Sequence, residues 1–203
     1  MIIAAHSDAG FQNESKGRSR AGAHIFLSED YPIPRWDRPI LSISQVVKFV
    51  MTSAVESELA ALYITAQKLV PTRQTLIEMG WPQPPTPIQT DNTTAEGVVN
   101  NKIVTKKLKS MHLRLHWLCC QEAQKQLRFY WDKGPNNWGD YHTKQHPPLY
   151  HEEKRPPFCR ARSHITTFPT STAQRNTVSF ISSSGAIYSI PARVYCYPTG
   201  LHV

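Results

Sequence analysis

The sequence has few cysteines, few glycines and no long apolar segment. Its 203 residues include four cysteines and nine glycines. No two cysteines form a Cys-x-x-Cys pair, which excludes a zinc ribbon and argues against a disulfide framework. No apolar run approaches the roughly 20 residues that span a bilayer, and the first residues are too short an apolar stretch for a secretory signal. We therefore expect a soluble intracellular protein, in the cytoplasm or the nucleus.

Positive charge is in excess. The chain has 23 Lys and Arg against 15 Asp and Glu, a net charge of +8, which favours a polyanionic partner. Residues 102–114 contain no acidic residue, as expected of a patch that contacts phosphates, although a solvated helix face explains the charges equally well. The candidate nucleic-acid-binding residues are Lys102, Lys106, Lys107, Lys109 and Arg114.

Composition divides the chain near residue 150. Residues 151–203 contain 13 Ser and Thr and five Pro without sustained periodicity, which predicts a disordered basic tail. Residues 1–150 alternate β-branched apolar runs with runs of helical period. They predict strands at 2–7, 21–27, 40–50, 88–92 and 127–131 and helices at 53–70, 93–99, 106–124 and 138–144. This order predicts an α/β layered domain with a mixed sheet.

Two details of this prediction concern helix boundaries. Pro71 lacks a backbone N–H and predicts an interruption of the first long helix, with another turn or two after it. Thr93 or Thr94 is the predicted N-cap of the short helix that follows the fourth strand.

Four acidic residues occupy comparable positions in this order. Asp8 follows the first strand, Glu58 lies in the first turns of the first long helix, Asp91 ends the fourth strand and Asp140 opens the last helix. Such positions converge at one edge of an α/β sheet, and carboxylates that stay ionised together need divalent cations to offset their repulsion. Oxygen ligands select Mg²⁺ or Mn²⁺, and a pair of these ions promotes attack of water on a phosphodiester. Taken singly, each acid is also explained as a turn former or a helix-start residue.

Six short blocks along residues 1–150 carry a family resemblance. In order and spacing they resemble the ribonuclease H domain of copia-type LTR retrotransposon polyproteins. The blocks are residues 6–9 (HSDA), 19–22 (SRAG), 53–62 (SAVESELAAL), 89–92 (QTDN), 115–118 (LHWL) and 140–144 (DYHTK). Singly these motifs are weak, and it is their common order that is specific.

The resemblance implies the ribonuclease H fold, with a five-stranded mixed sheet flanked by helices, and hydrolysis of the RNA strand of RNA–DNA hybrids. It implies that Asp8 bridges two Mg²⁺ or Mn²⁺ ions. Asp140 would help to hold the ion that activates the attacking water, and Glu58 and Asp91 the ion at the leaving 3′ oxygen. The implied partners are the hybrid and a reverse transcriptase domain upstream in a parent polyprotein, with no membrane partner.

Several alternatives stay open. Periodicity does not separate Glu56 from Glu58, since both flank the apolar stripe of the helix, and only the family resemblance favours Glu58. His112 and His116 are four residues apart, but no fourth ligand arrives at a metal-site spacing, so a packed or exposed helix edge is the preferred interpretation. The alternative to an enzyme is a catalytically inactive, nucleic-acid-binding remnant of such a polyprotein. An integrase-type core is disfavoured, because those cores usually place their glutamate late in the chain.

Overall fold

The computed structural model describes residues 1–103, 111–159, 177–181 and 187–191. A five-stranded mixed sheet organises the first part of the chain, with strands in the order β3-β2-β1-β4-β5. Strands β1, β2 and β3 are antiparallel, whereas β1, β4 and β5 are parallel. The strands are β1 Ile2–Glu14, β2 Arg18–Ser28, β3 Pro39–Val46, β4 Thr86–Thr90 and β5 Leu127–Trp131.

Helices accompany this sheet, and α1 packs against β1 and β2 and contacts α2 and α3. The core between them is built from aliphatic side chains such as Ile3, Ile25, Leu62 and Leu118, all fully buried. The helices are α1 Ala54–Glu78, α2 Thr93–Val99, α3 His112–Ala123, α4 Asp140–Thr143 and α5 Pro148–Cys159. In the part of the chain that the structure describes, no helix has the length and hydropathy that crossing a bilayer requires.

The first two strands are longer than the sequence predicts. Residues 8–20, which separate the first two predicted strands, instead continue β1 to Glu14 and begin β2 at Arg18, with one 3-10 turn between them. Polar residues stay extended here because they pair across the strands, as in the ion pair of Arg20 Nε with Glu14 Oε1 at 2.6 Å. Asp8 therefore lies inside β1, opposite Gly22, and not at a strand end.

Helix α1 continues through Pro71, so the predicted interruption is wrong. The last two turns of the helix, beyond the proline, are held by Arg73, which is largely buried. Its guanidinium donates to Gln126 Oε1 at 3.0 Å and to the carbonyl of Pro84. The charged guanidinium thus provides a donor to oxygen acceptors in the neighbouring loops. These tertiary contacts offset the loss of the backbone hydrogen bond that the proline removes.

Two helix starts also differ from the predictions. Asn92, not Thr93 or Thr94, caps α2, since its Oδ1 accepts from the Ala95 N–H at 2.9 Å. The described part of the predicted helix at 106–124 is α3, which begins at His112, and residues 104–110 lie outside the described residues.

The chain divides into two units, residues 1–161 and 162–203. Helix α5 crosses the predicted boundary at residue 150, so residues 151–159 are helical and not part of a disordered tail. They are held by side-chain contacts, among them the hydrogen bond of 2.8 Å between the Tyr141 hydroxyl and His151 Nδ1 and the ring of Phe158 against His24. In the second unit, β6 Thr177–Ile181 pairs antiparallel with β7 Ile187–Pro191. The rest of the predicted tail lies outside the described residues.

Candidate active site

Three carboxylates converge beside the centre of the sheet. One carboxylate oxygen from each of Asp8, Glu58 and Asp91 lies within 4.8 Å of the other two. Strands β1 and β4 run parallel with His6 opposite Gln89, and the same register two residues later brings Asp8 level with Asp91. Helix α1 packs on β1 and adds Glu58. Asp8 and Glu58 are 3% and 7% exposed, whereas Asp91 is half-buried.

The electrostatics of the three carboxylates oppose their ionisation. Burial, together with the charges of Asp140 and Asp91, raises the pKa of Asp8 to about 6. Burial and the charges of Asp8 and Asp91 raise the pKa of Glu58 well above its ordinary value, and burial followed by the charge of Asp140 raises the pKa of Asp91. Like charges that are crowded and poorly hydrated in this way are stabilised by a bound cation.

The donor set fits a hard divalent cation. Glu58 Oε2 is buried and has no hydrogen-bond partner among the described residues, although a buried carboxylate oxygen without a partner is costly. The three residues offer only oxygen ligands, which suit Mg²⁺ or Mn²⁺ better than softer metals. They form the one group of three or more potential metal ligands found in the described parts of the chain.

Asp140 lies next to these carboxylates but is not one of the three convergent ligands. It begins α4, and its Oδ1 accepts a hydrogen bond from the Lys144 ammonium one turn later. Its charge contributes to the raised pKa of both Asp8 and Asp91. Burial acts to lower the pKa of Lys144, but the hydrogen bond to Asp140 and the nearby carboxylate charges together raise it. Lys144 is therefore a cation at the edge of the acidic site.

Glu56 and Glu58 have different surroundings. Glu56 Oε2 accepts hydrogen bonds from the Thr52 N–H at 2.8 Å and from the Thr52 hydroxyl at 2.6 Å. The Ser53 hydroxyl in turn accepts from the Glu56 N–H, so Glu56 belongs to the capping of α1. Glu58 points to Asp8 and Asp91.

The basic residues singled out from the sequence are only partly described. Lys106, Lys107 and Lys109 lie outside the described residues. Lys102 forms an ion pair with Glu96 at 2.5 Å, which neutralises much of its charge. Arg114 lies over the ring of Phe49, 4.7 Å from its centroid.

Arg114 also lines a groove of about 180 Å³ between the segment before α1, helix α1 and the start of α3. Lys48, Phe49 and Tyr63 contribute to the same groove, and none of its lining residues is acidic. The groove thus combines two cations with aromatic rings, a combination that suits phosphate and base contacts.

The histidine pair on α3 has two of the ligands that a metal site needs. Nε2 of His112 and Nε2 of His116 are 3.2 Å apart, and both side chains are exposed. No third ligand joins them among the residues that the structure describes. The preferred interpretation, an exposed helix edge, agrees with this arrangement.

Sequence reasoning missed two side chains at the acidic site, one that bonds a carboxylate and one that bonds the adjacent backbone. The Thr143 hydroxyl donates to Asp8 Oδ2, which acts to lower the pKa of Asp8. Asn137, close before Asp140, is buried and hydrogen-bonds the backbone of β1 at Ser7. Their place within three residues of Asp140 was the available signal.

Comparison with known proteins identifies the fold. No family model matches the chain, and no curated protein matches it in sequence. The solved structure of LC11-RNase H1, isolated from compost by a metagenomic approach, matches with a TM-score of 0.52 and 14% identity over 70% of this chain and 92% of that one. LC11-RNase H1 in complex with an RNA/DNA hybrid matches with a TM-score of 0.51 and 12% identity over 70% and 93%. The predicted ribonuclease H fold, with its five-stranded mixed sheet, is confirmed.

Proposed function

We propose that this protein is a metal-dependent endoribonuclease that hydrolyses the RNA strand of RNA–DNA hybrids. The observation that carries the proposal is the convergence of Asp8, Glu58 and Asp91 within a ribonuclease H fold. The products would carry a 5′ phosphate and a 3′ hydroxyl. One structural neighbour is bound to an RNA/DNA hybrid, which supports this class of substrate.

The four acids would divide the work of holding two Mg²⁺ or Mn²⁺ ions. When bound, such ions supply Lewis acidity and lower the pKa of a water molecule for in-line attack on phosphorus. Asp8, the most buried of the acids, would contribute to both ions. Asp140 would complete the water side, and Glu58 and Asp91 the side of the leaving 3′ oxygen. Lys144 pairs with Asp140 in the structure, so its ammonium would have to leave Asp140 when an ion binds there.

Substrate binding would rest on phosphate contacts outside the acidic site. Arg114 and Lys48 line a groove without acidic residues. Because these cations would contact phosphates, they would hold a nucleic-acid backbone without reading its base sequence. Lys106, Lys107 and Lys109 remain candidates for the same role, and Lys102 is a weaker one because Glu96 already pairs with it. We expect affinity to fall steeply with salt, since each neutralised phosphate releases counterions.

The sequence blocks further support an origin in a copia-type retrotransposon polyprotein. They include the segments that carry Asp8, Glu58, Asp91 and Asp140. In such a polyprotein a reverse transcriptase domain would lie upstream and contribute part of the grip on the hybrid.

The test is cleavage of an RNA–DNA hybrid labelled on its RNA strand, with Mg²⁺ or Mn²⁺, by wild type and Asp91→Asn. We expect wild type to cut the RNA strand and the variant to bind the hybrid without cutting it. Cleavage that persists in Asp91→Asn would contradict the proposed site. Salt-sensitive binding by wild type without any cleavage would identify the inactive, nucleic-acid-binding alternative.

A further inference from the structure

We propose that Asn137 is a positioning residue, which fixes Asp140 beside the three convergent carboxylates by fastening the preceding loop to strand β1. The inference rests on the proposed function, because it assigns Asp140 a part in metal binding. The side chain of Asn137 hydrogen-bonds the Ser7 carbonyl and the Gly139 N–H, and none of the four carboxylates.

Asn137 uses both ends of its side-chain amide. Its side chain is buried, with the residue 4% exposed. Nδ2 donates to the Ser7 carbonyl at 2.8 Å, and Oδ1 accepts from the Gly139 N–H at 2.9 Å. The first bond joins the loop to β1 next to Asp8, and the second closes the loop immediately before Asp140. A buried amide satisfied at both ends holds a loop in one conformation.

Two neighbouring contacts bring the same loop against the same part of β1. The Trp138 N–H donates to His6 Nδ1 at 3.1 Å. A Cβ added to Gly139 would lie 2.9 Å from the Asp8 backbone nitrogen, closer than real side chains approach. Residues 137–139 therefore lie directly on residues 6–8, the segment that ends in Asp8.

Beyond Asp140, α4 is attached to the sheet, since Ser44 donates to the His142 carbonyl at 2.8 Å and Asn13 to the Thr143 carbonyl at 2.6 Å. Before Asp140, the attachment is the loop that Asn137 fastens to β1. Helix α4 has four residues and no side-chain cap hydrogen bond, so it is too short to be stable by itself. The Asp140 carboxylate accepts a hydrogen bond from the Lys144 ammonium at the end of the same helix, and not from the sheet. The position of the Asp140 carboxylate relative to Asp8 thus depends on the backbone on both sides of it, and Asn137 fixes the side that precedes it. Misplacement of a catalytic group by about 1 Å costs up to about 100-fold in rate.

Gln83 provides a matched control at the other end of β1. It is also a buried side-chain amide, 8% exposed. It accepts from the Ile3 N–H at 2.9 Å and donates to the Trp81 carbonyl at 3.1 Å. Gln83→Ala removes the same kind of bridge between β1 and a loop, far from the carboxylates, so it reports the purely structural cost.

The experiment compares wild type, Asn137→Ala and Gln83→Ala in calorimetric titrations with Mg²⁺ and Mn²⁺, and in hybrid cleavage. We expect Asn137→Ala to lose one bound ion or to bind it at least about tenfold more weakly, and kcat to fall about 10- to 100-fold with KM for the hybrid little changed. Gln83→Ala should lose comparable thermal stability but keep wild-type ion binding and kcat.

A second variant keeps the test decisive if Asn137→Ala does not fold. Asn137→Ser adds no charge; its hydroxyl can still accept from the Gly139 N–H as serine does in such turns, but it does not reach Ser7, so we expect intermediate ion binding. The inference is overturned if the Asn137 variants bind both ions as wild type does, or lose no more kcat than Gln83→Ala. If wild type binds the ions but cuts no hybrid, the proposed function fails, whereas the comparison of ion binding still decides the role of Asn137.

Discussion

The hydroxyl of Thr143 donates a hydrogen bond to Oδ2 of Asp8, across 135 positions of sequence. The bond ties α4 to β1 at the buried carboxylate. It also counteracts the burial that raises the pKa of Asp8 to about 6, because it stabilises the ionised form. The fraction of Asp8 that is ionised near neutral pH, and therefore able to bind a cation, thus depends in part on Thr143.

Thr143→Val is expected to make cation binding more sensitive to acid. Without the hydroxyl the pKa of Asp8 rises by roughly one to two units, since a hydrogen bond to a charged group contributes about 1.5–3 kcal/mol and one pKa unit is about 1.4 kcal/mol. The variant should need more Mg²⁺ than wild type for half-maximal cleavage at pH 6, with a smaller difference at pH 8. Thr65→Val, which loses a buried bond to the Ser7 hydroxyl, is the control, and an equal shift in both variants would refute this role.

Glu56→Gln and Glu58→Gln should have opposite effects. Glu58→Gln removes a buried charge that is repelled by Asp8 and Asp91. It should therefore abolish cleavage and raise the free energy of unfolding of the metal-free protein at pH 8 by about 1 kcal/mol, the size of a typical point-mutant effect. The gain should disappear in acid, because the raised pKa means that Glu58 is already protonated there. Glu56→Gln should lower stability by about 1 kcal/mol through the lost cap and leave cleavage close to wild type.

Thermal or urea unfolding with and without Mg²⁺ measures both effects. Mg²⁺ should stabilise wild type and Glu56→Gln but not Glu58→Gln, since a ligand that binds the folded state raises its stability. Loss of cleavage in Glu56→Gln with retention in Glu58→Gln would reverse the assignment.

The sequence alone predicts much of the sheet. Strands with an apolar core face are visible from composition, and β5 lies at the predicted residues 127–131. The sequence does not predict residues 8–14 as strand, because the polar segment 8–20 contains Asn13, Ser15 and Gly17, which are typical of turns. Residues 8–14 stay extended through pairing with β2, which is a contact between segments that local propensity does not contain.

Three of the four candidate acids come together in the structure, whereas the side chains that support them were not predicted. Asp91 follows the last residue of β4, and a strand end can be predicted locally. The choice between Glu56 and Glu58 depends on how α1 packs on β1, which helical periodicity does not determine. Asn137 and Thr143 make contacts to Ser7 and to Asp8 more than 100 residues away, so their closeness to Asp140 in the sequence indicates the place but not the contact.

Buried histidines should make the fold labile to acid. Burial, with a contribution from His24, lowers the pKa of His142 to about 4. In the unfolded chain its pKa is about 6.5. The unfolded state therefore binds a proton that the folded state does not, and the stability from His142 is lost as pH falls from about 6.5 towards 4. His6, whose pKa burial lowers to about 3, contributes with the same sign.

His142→Phe should reduce this dependence. Between about pH 6 and 4.5, its free energy of unfolding should fall less steeply than that of wild type, by up to about 1.4 kcal/mol per pH unit for one proton. Urea unfolding of the metal-free proteins at several pH values measures the slopes. Leu113→Phe, at an exposed position on α3, adds the same ring without removing a titratable group, so it is the control and should keep the wild-type slope. Parallel slopes in all three proteins would show that His142 takes up no proton on unfolding.

Gly139→Ala should damage the site more than the same substitution elsewhere in the fold. The added Cβ would lie 2.9 Å from the Asp8 nitrogen and 3.0 Å from the Ser7 carbonyl carbon. Both are backbone atoms of a central strand, so the loop before Asp140 must move instead. Overpacking of this kind costs about 1–3 kcal/mol, and the displaced loop should also weaken Mg²⁺ binding.

Gly97→Ala is the matched control for that substitution. Its Cβ would approach only the Ile103 side chain, at 2.6 Å, and that side chain can rotate away. In a helix, alanine is more favourable than glycine by up to about 1 kcal/mol. This increase in the stability of α2 offsets part of the cost of the contact with Ile103. Thermal unfolding and Mg²⁺ titration should therefore separate the two variants, with Mg²⁺ affinity reduced in Gly139→Ala and unchanged in Gly97→Ala. Equal Mg²⁺ affinity in both would mean that the contact between residues 137–139 and β1 does not govern the acidic site.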